Sequence, residues 1–209
     1  MENSPRLRRS LRRGVPKGRR AWIASIGWQL AATATIALLC ATAVHSQNSP
    51  SEYQVKAAFL FNFAKFVEWP PDTFPNATAP IALCVFRHDP FGSALDEVIR
   101  GKTINNRELV ARRIHDLAEL KGCQVLFVDE REEKQLPEIL TSLKGVSSLV
   151  VGEGAEFAER GGAIQFFLEN NKLRFAINID AVQRSRLQAS SKLLALARIV
   201  HDGGHPKAN

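Results

Sequence analysis

An uncharged stretch of 23 residues, 21–43, follows an arginine-rich start and limits which part of the chain can fold as a domain. A basic stretch, an apolar stretch and a small-residue exit, in that order, are typical of a secretory signal peptide. Cleavage could fall in residues 41–43 or 44–46. The same stretch is also long enough to span a bilayer as an uncleaved membrane helix. In both cases residues 1–46 are predicted to export the remaining chain while the arginines stay in the cytoplasm.

The net charge of +7 comes from this segment. Eight of the 28 Lys and Arg residues and one of the 21 acidic residues lie in residues 1–46, which leaves 20 basic and 20 acidic residues after it. A nucleic-acid-binding domain carries a basic surface. The balanced charge of the exported part therefore indicates no nucleic-acid partner.

Cysteine usage leaves two alternatives open. Cys40 lies in the export segment, so Cys84 and Cys123 are the two cysteines of the exported part. Two cysteines in an oxidising compartment are most simply a disulfide, although two buried free thiols also fit the sequence. There is no CxxC motif, and the histidines share no ligand spacing. We therefore expect no metal site.

A broad apolar face dominates residues 54–69, where Val55, Phe59, Phe63 and Phe66 recur at helical spacing before Pro70. The pattern predicts a helix packed on most of its sides. So broad a face is hard to bury completely in a small domain, which leaves core packing and a partner surface as alternatives. The candidate partner-binding residues on the first and last helices are Phe59, Phe63, Phe66, Trp69, Leu193 and Leu194.

Strands and helices alternate through the rest of the exported part. Apolar runs at 80–86, 123–128 and 146–151 predict buried strands, and 163–168 with 172–177 predict a hairpin. Helices are predicted between the strands, and Ser190 or Ser191 can cap a last helix that runs to about residue 200. This alternation predicts one layered α/β domain, a sandwich with a mostly parallel sheet and one antiparallel hairpin.

No motif assigns a catalytic residue or a cofactor site. Gly152 and Gly154 follow a predicted strand, but Phe157 stands where the third glycine of a GxGxxG loop would be. No GKS/T, HExxH or GxSxG motif occurs. The acidic run at 129–133 is interpreted as a solvated helix start. We therefore expect a protein without a cofactor and without enzymatic activity.

Several strings together resemble the YfiR family of bacterial periplasmic proteins. They are VKAAFLFNFAKFVEWP at 55–70, the strand with Cys84 followed by Asp-Pro-Phe-Gly at 89–92, the strand that opens at Cys123, Gly-Gly-Ala-Ile at 161–164, and RFAINIDAVQRSRLQASSKLLALARIV at 174–200. The resemblance implies an α/β domain at 53–200, after a polar lead at 47–52 and before a disordered tail at 201–209.

The family resemblance implies a role that no motif carries. Its best-known members are periplasmic repressors that bind the sensor domain of an inner-membrane diguanylate cyclase, and an outer-membrane lipoprotein or redox stress relieves them. Cyclic-di-GMP and biofilm formation then rise. Members are often homodimers, and their shared cysteine pair lies where Cys84 and Cys123 lie, which favours the disulfide. Some relatives have a second pair, which this sequence lacks.

Two functions follow as hypotheses. The first is a non-enzymatic periplasmic regulator that represses a membrane diguanylate cyclase or acts on another membrane sensor. The alternative is a sensor module that binds a small molecule at the strand ends around residues 152–157.

Overall fold

The computed structural model describes residues 51–204, so the predicted export segment and the end of the predicted tail lie outside the described residues. The domain begins with helix α1, Glu52–Phe66. Ser51 caps it, because its hydroxyl accepts a bond from the Gln54 amide while the Gln54 side chain accepts one from the Ser51 amide. No helix within 51–204 has the length and apolarity that a membrane span requires.

An eight-stranded sheet forms the centre of the domain. Its strands are β2 (Ile81–Phe86), β3 (Thr103–Ile104), β4 (Arg107–Ile114), β5 (Val125–Val128), β6 (Leu149–Gly152), β7 (Ile164–Glu169), β8 (Lys172–Asn178) and β10 (Arg198–Val200). The order is β10-β8-β7-β6-β5-β2-β4-β3. Neighbours β7, β6, β5, β2 and β4 are parallel, whereas β7–β8 is an antiparallel hairpin and β3 runs antiparallel to β4. The predicted mixed α/β fold with a mostly parallel sheet and a hairpin is confirmed.

A second, two-stranded sheet joins the end of α1 to the C-terminal part of the domain. Strand β1, Val67–Glu68, pairs antiparallel with β9, Gln188–Ala189. The described residues also form four short α-helices: α2 (Ala94–Ile99), α3 (Leu136–Ser142), α4 (Ile179–Arg184) and α5 (Ser191–Leu194).

The central sheet is covered on both faces, because its inner strands are apolar on both sides. One face packs against α1 and α2 and includes Leu83, Phe127 and Phe166. The other face carries Cys84 and Leu126 and packs against α3 and a 3₁₀ turn at Leu117–Gly122. Alternate residues of one strand therefore belong to two separate cores.

The prediction of a last helix that runs to about residue 200 is wrong beyond the first turn of that helix. Ser190 does cap a helix, but α5 ends at Leu194, and Arg198–Val200 form strand β10. Strand β10 lies parallel to β8, with Ile199 opposite Ile177. Pairing with the sheet overrides the helical spacing of the leucines, since β-branched residues end the segment.

The start of the predicted tail packs against the domain. Asp202 begins a short 3₁₀ turn, and its carboxylate accepts bonds from Asn178 and Arg184. Residues 205–209 lie outside the described residues.

Candidate functional site

The parallel strands create a crevice where their carboxyl ends meet. The chain leaves β2 towards α2 on one face of the sheet and leaves β5 towards α3 on the other face. Adjacent strands whose connections go to opposite faces leave a crevice between them, and ligands of open α/β sheets bind at such points. The segments at this edge are residues 87–93 after β2, 129–135 after β5 and 153–157 after β6.

One polar cluster at this edge joins the segments after β2 and β5. His88 Nδ1 lies 3.2 Å from Oδ2 of the buried Asp129, without the alignment of a hydrogen bond. Arg131 Nη1 lies 2.7 Å from His88 Nε2. Because a guanidinium can only donate, Nε2 accepts, and a neutral His88 carries its proton on Nδ1.

The acidic run after β5 is a helix start, as the sequence predicts, but Asp129 in it is buried rather than solvated. The Asp129 side chain accepts a bond from the Arg131 amide and caps the 3₁₀ helix Glu130–Gln135, which continues into α3. Asp89, next to His88 in the sequence, bonds instead to the Phe91 amide and to Arg113. The neighbours His88 and Asp89 therefore do not form a base with its own carboxylate.

A buried ion pair lies beside this crevice, between α1 and the end of β6. The Lys56 ammonium binds Glu153, and the two side chains are only 4% and 9% exposed. Glu52 adds a second carboxylate at 2.6 Å from Lys56 Nζ, and the Tyr53 hydroxyl donates to Glu153 Oε1 over 3.1 Å. Lys56 Nζ also lies 4.5 Å from the centre of the Tyr53 ring.

Burial dominates the electrostatics of this group. It raises the pKa of the Glu153 carboxyl above its usual 4.5, although the bond to Lys56 and its charge act in the opposite direction. Burial, followed by the charge of Glu153, also raises the pKa of the Tyr53 phenol. Tyr53 therefore stays a neutral donor to Glu153 at physiological pH.

The raised pKa of Glu153 predicts a pH-dependent stability. Folded Glu153 holds its proton more tightly than the unfolded chain does, so the free energy of unfolding falls as the pH rises from about 4.5 through the raised pKa. The bond to Arg113 lowers the pKa of Asp96 below 3.8, so Asp96 changes the stability only at lower pH. Urea unfolding at a series of pH values is expected to show a steeper fall in this window for the wild type than for Glu153→Gln. Parallel curves would contradict the prediction.

An open cavity of about 440 Å³ adjoins the buried pair. It lies between the first turns of α1 and the carboxyl ends of β6 and β7, and Glu153 and Ala155 line it. The predicted ligand position at residues 152–157 therefore coincides with a cavity, but the glycines themselves do not form it. The Phe157 ring is fully buried and would lie 2.3 Å from a Cβ at Gly152, so a side chain fills the space that a phosphate would need.

Most of the candidate partner-binding residues come together at a different place, between α1 and α5. Phe63 and Leu193 are buried, and Phe59, Phe66 and Leu194 are partly buried against the same core. A groove of about 170 Å³ is lined by Phe59, Phe63, Phe66 and Leu193 together with Leu196. The core interpretation of α1 thus holds for Phe63, whereas the partly buried members border a groove.

Trp69 lies apart from the groove. It lines a cavity of about 510 Å³ at the end of α1, together with Pro70, Pro71, Phe74 and Arg107. Its indole N–H is buried without a hydrogen-bond partner among the described residues.

Cys84 and Cys123 form a disulfide with a Cα–Cα distance of 5.7 Å. Both side chains are about 1% exposed in the core on the α3 face. The bond ties the central strand β2 to the segment that enters β5.

Sequence reasoning missed Tyr53 and Lys56. Their signal is a charge on an apolar helix face, since Lys56 stands one turn before Leu60 and two turns before Phe63, both buried. A lysine at such a position needs a buried partner, and the sequence offers no means to choose Glu153.

A family model described as YfiR/HmsC-like matches residues 53–198 and confirms the resemblance. Two solved structures also match at low identity. A conserved domain protein from Vibrio cholerae O1 biovar El Tor is 11% identical with a TM-score of 0.47, and the match covers 68% of this chain and 59% of that one. The ABC domain in complex with L-Trp from Streptococcus pneumonia is 9% identical with a TM-score of 0.47, over 69% of this chain and 60% of that one. The chain spans about three fifths of each structure, and similarity at this level indicates no function.

Proposed function

The chain belongs to the YfiR/HmsC-like family, and on that premise we propose that it is a periplasmic regulator of diguanylate cyclase signalling. In this proposal it binds the sensor domain of an inner-membrane cyclase and represses the enzyme, which lowers cyclic-di-GMP and biofilm formation. Its own role is binding rather than catalysis. The observation that carries the proposal is the family match, which extends over nearly all of the described domain.

The groove between α1 and α5 supports a protein partner. Leu196 on its rim is 71% exposed, and the rim also includes Asn62 and Lys192. An exposed apolar patch with a polar rim is typical of an interaction surface. We assign Phe59 and Phe66 to this contact with the sensor domain, with the buried Phe63 and Leu193 as the floor beneath them. Trp69 and Leu194 stay predictions as partner contacts.

The other partners follow from the same proposal. Residues 1–46 export the chain, either as a cleaved signal or as an anchor that keeps the domain at the inner membrane. An outer-membrane lipoprotein that competes for the chain would relieve repression. A homodimer is the proposed oligomeric state.

Deleting the gene is expected to raise cyclic-di-GMP severalfold in the host, because the cyclase loses its repressor. The full-length chain, supplied in trans, is expected to restore the low level, and residues 47–209 without an export segment are not. The measurement is cyclic-di-GMP in cell extracts by mass spectrometry. An unchanged level after deletion would contradict the proposal.

A matched pair of variants tests the groove in the same cells. Leu196→Glu places a charge on the exposed apolar rim and is expected to abolish restoration without unfolding the domain. Ala118→Glu places the same charge at an exposed position on the other face of the sheet. It is expected to restore the low level fully, so equal effects of the two changes would contradict the assigned surface.

A further inference from the structure

The cavity beside the buried ion pair has the size and the place of a small-molecule site. Its volume of about 440 Å³ falls in the range of known ligand pockets. It also lies at the carboxyl ends of parallel strands, where open α/β sheets bind their ligands. The regulator proposal assigns no role to it.

One wall of this cavity is apolar and comes from the β7–β8 hairpin. Phe166, Phe167, Leu168 and Leu173 line it, and Leu168 lies opposite Leu173 in the hairpin. Leu168 is 60% exposed, although most large apolar side chains of the domain are buried. This wall can therefore cover the apolar body of a ligand.

A second part of the cavity lining is negatively charged. Three carboxylates line it, those of Glu52, Glu130 and Glu153, against one ammonium, that of Lys56. Lys56 is already bound to Glu153 and Glu52, and Glu130 has no ion pair among the residues that the structure describes. An anionic ligand would meet uncompensated like charge here, whereas a cation would be attracted.

The buried pair gives this wall a fixed geometry. Glu153 is held from one side by Lys56 and from the other by the Tyr53 hydroxyl. A buried ion pair adds little net stability compared with apolar side chains of the same volume. Its place at the cavity is better explained by the charged wall that it orients than by a contribution to stability.

We propose that this cavity binds a small amphipathic cation, with its apolar body on the hairpin wall and its positive charge at the carboxylates of Glu52 and Glu130. The site is independent of the groove between α1 and α5. Binding is measured without a cyclase, so a failure of this proposal and a failure of the regulator proposal are distinguishable.

Three probes with one ring skeleton test the sign of the charge: 2-phenylethylammonium, 2-phenylethanol and phenylacetate. The protein is the purified exported chain, observed by amide NMR up to roughly 10 mM probe, above the dissociation constant of a weak millimolar ligand. The ammonium probe is expected to bind most tightly and to shift the amide signals of Tyr53, Leu168 and Leu173. Absence of binding, equal binding of phenylacetate, or shifts confined to another surface would overturn the proposal.

Charge-neutralising variants test the assigned wall. Glu52→Gln and Glu130→Gln are each expected to weaken binding of the ammonium probe about threefold, as for partly exposed ion pairs. Binding of 2-phenylethanol is expected to stay unchanged in both. Glu138→Gln removes an exposed carboxylate from α3 as the matched control. An equal loss in this control would show a general charge effect and overturn the proposal.

Discussion

Replacing Cys84 by serine is expected to lower the free energy of unfolding by about 4 kcal/mol, and Cys123→Ser by a similar amount. The disulfide closes a loop of 39 residues along the chain, and its loss gives the unfolded chain the entropy of that open loop. Both sulfur atoms lie in the core on the α3 face, so a new hydroxyl and a free thiol are buried there as well. Urea unfolding under non-reducing conditions measures the effect.

The double variant separates a linkage from two independent packing effects. Cys84→Ser/Cys123→Ser is expected to cost little more than either single change, because the first substitution already opens the loop. Reductant is expected to bring the wild type close to the double variant and to leave the double variant unchanged. Strictly additive losses would contradict the pairing.

Removing the Lys56 ammonium is expected to cost about 3 kcal/mol of unfolding free energy in Lys56→Met, at the lower end for a broken buried ion pair. The substitution leaves the Glu153 carboxylate buried without its cation, and the Tyr53 hydroxyl is its remaining donor. Burial already raises the pKa of Glu153, so losing the ammonium makes its ionised form still less stable at neutral pH. Urea unfolding at neutral pH measures the loss.

Two comparisons show whether the buried charge causes this loss. Lys56→Met/Glu153→Gln removes both charges and is expected to recover most of the stability. Glu169→Gln removes an exposed carboxylate that pairs with Arg198 and is expected to change stability by less than about 1 kcal/mol. If Lys56→Met cost no more than Glu169→Gln, the buried pair would have no special role.

The strands could be predicted from the sequence where the local apolar pattern and the burial agree. The runs that became β2, β5 and β6 are apolar on both faces, so they read as buried strands without knowledge of their neighbours. Residues 193–200 could not be predicted from their local pattern. Leu193, Leu194 and Leu196 have helical spacing, yet the segment after them joins β8 as a strand, and only its tertiary neighbour determines that outcome.

The candidate sites were harder to predict from the sequence than the strands. The strand-end position at residues 152–157 could be predicted, because parallel strands place their carboxyl ends on one edge. The charged residues beside this position could not be predicted. Lys56 and Glu153 stand 97 positions apart in the sequence, and their contact depends on how α1 crosses the sheet. The apolar face of α1 likewise could not be divided into core and groove until α5 and β8 were placed beside it.

The most direct test of the regulator role is the rate of cyclic-di-GMP synthesis from GTP in detergent-solubilised membranes of a host strain that lacks the gene. Adding the purified exported chain is expected to lower that rate in proportion to occupancy, whereas the Leu196→Glu variant is expected to leave it unchanged. A rate that stays constant at saturating wild-type chain would contradict the account.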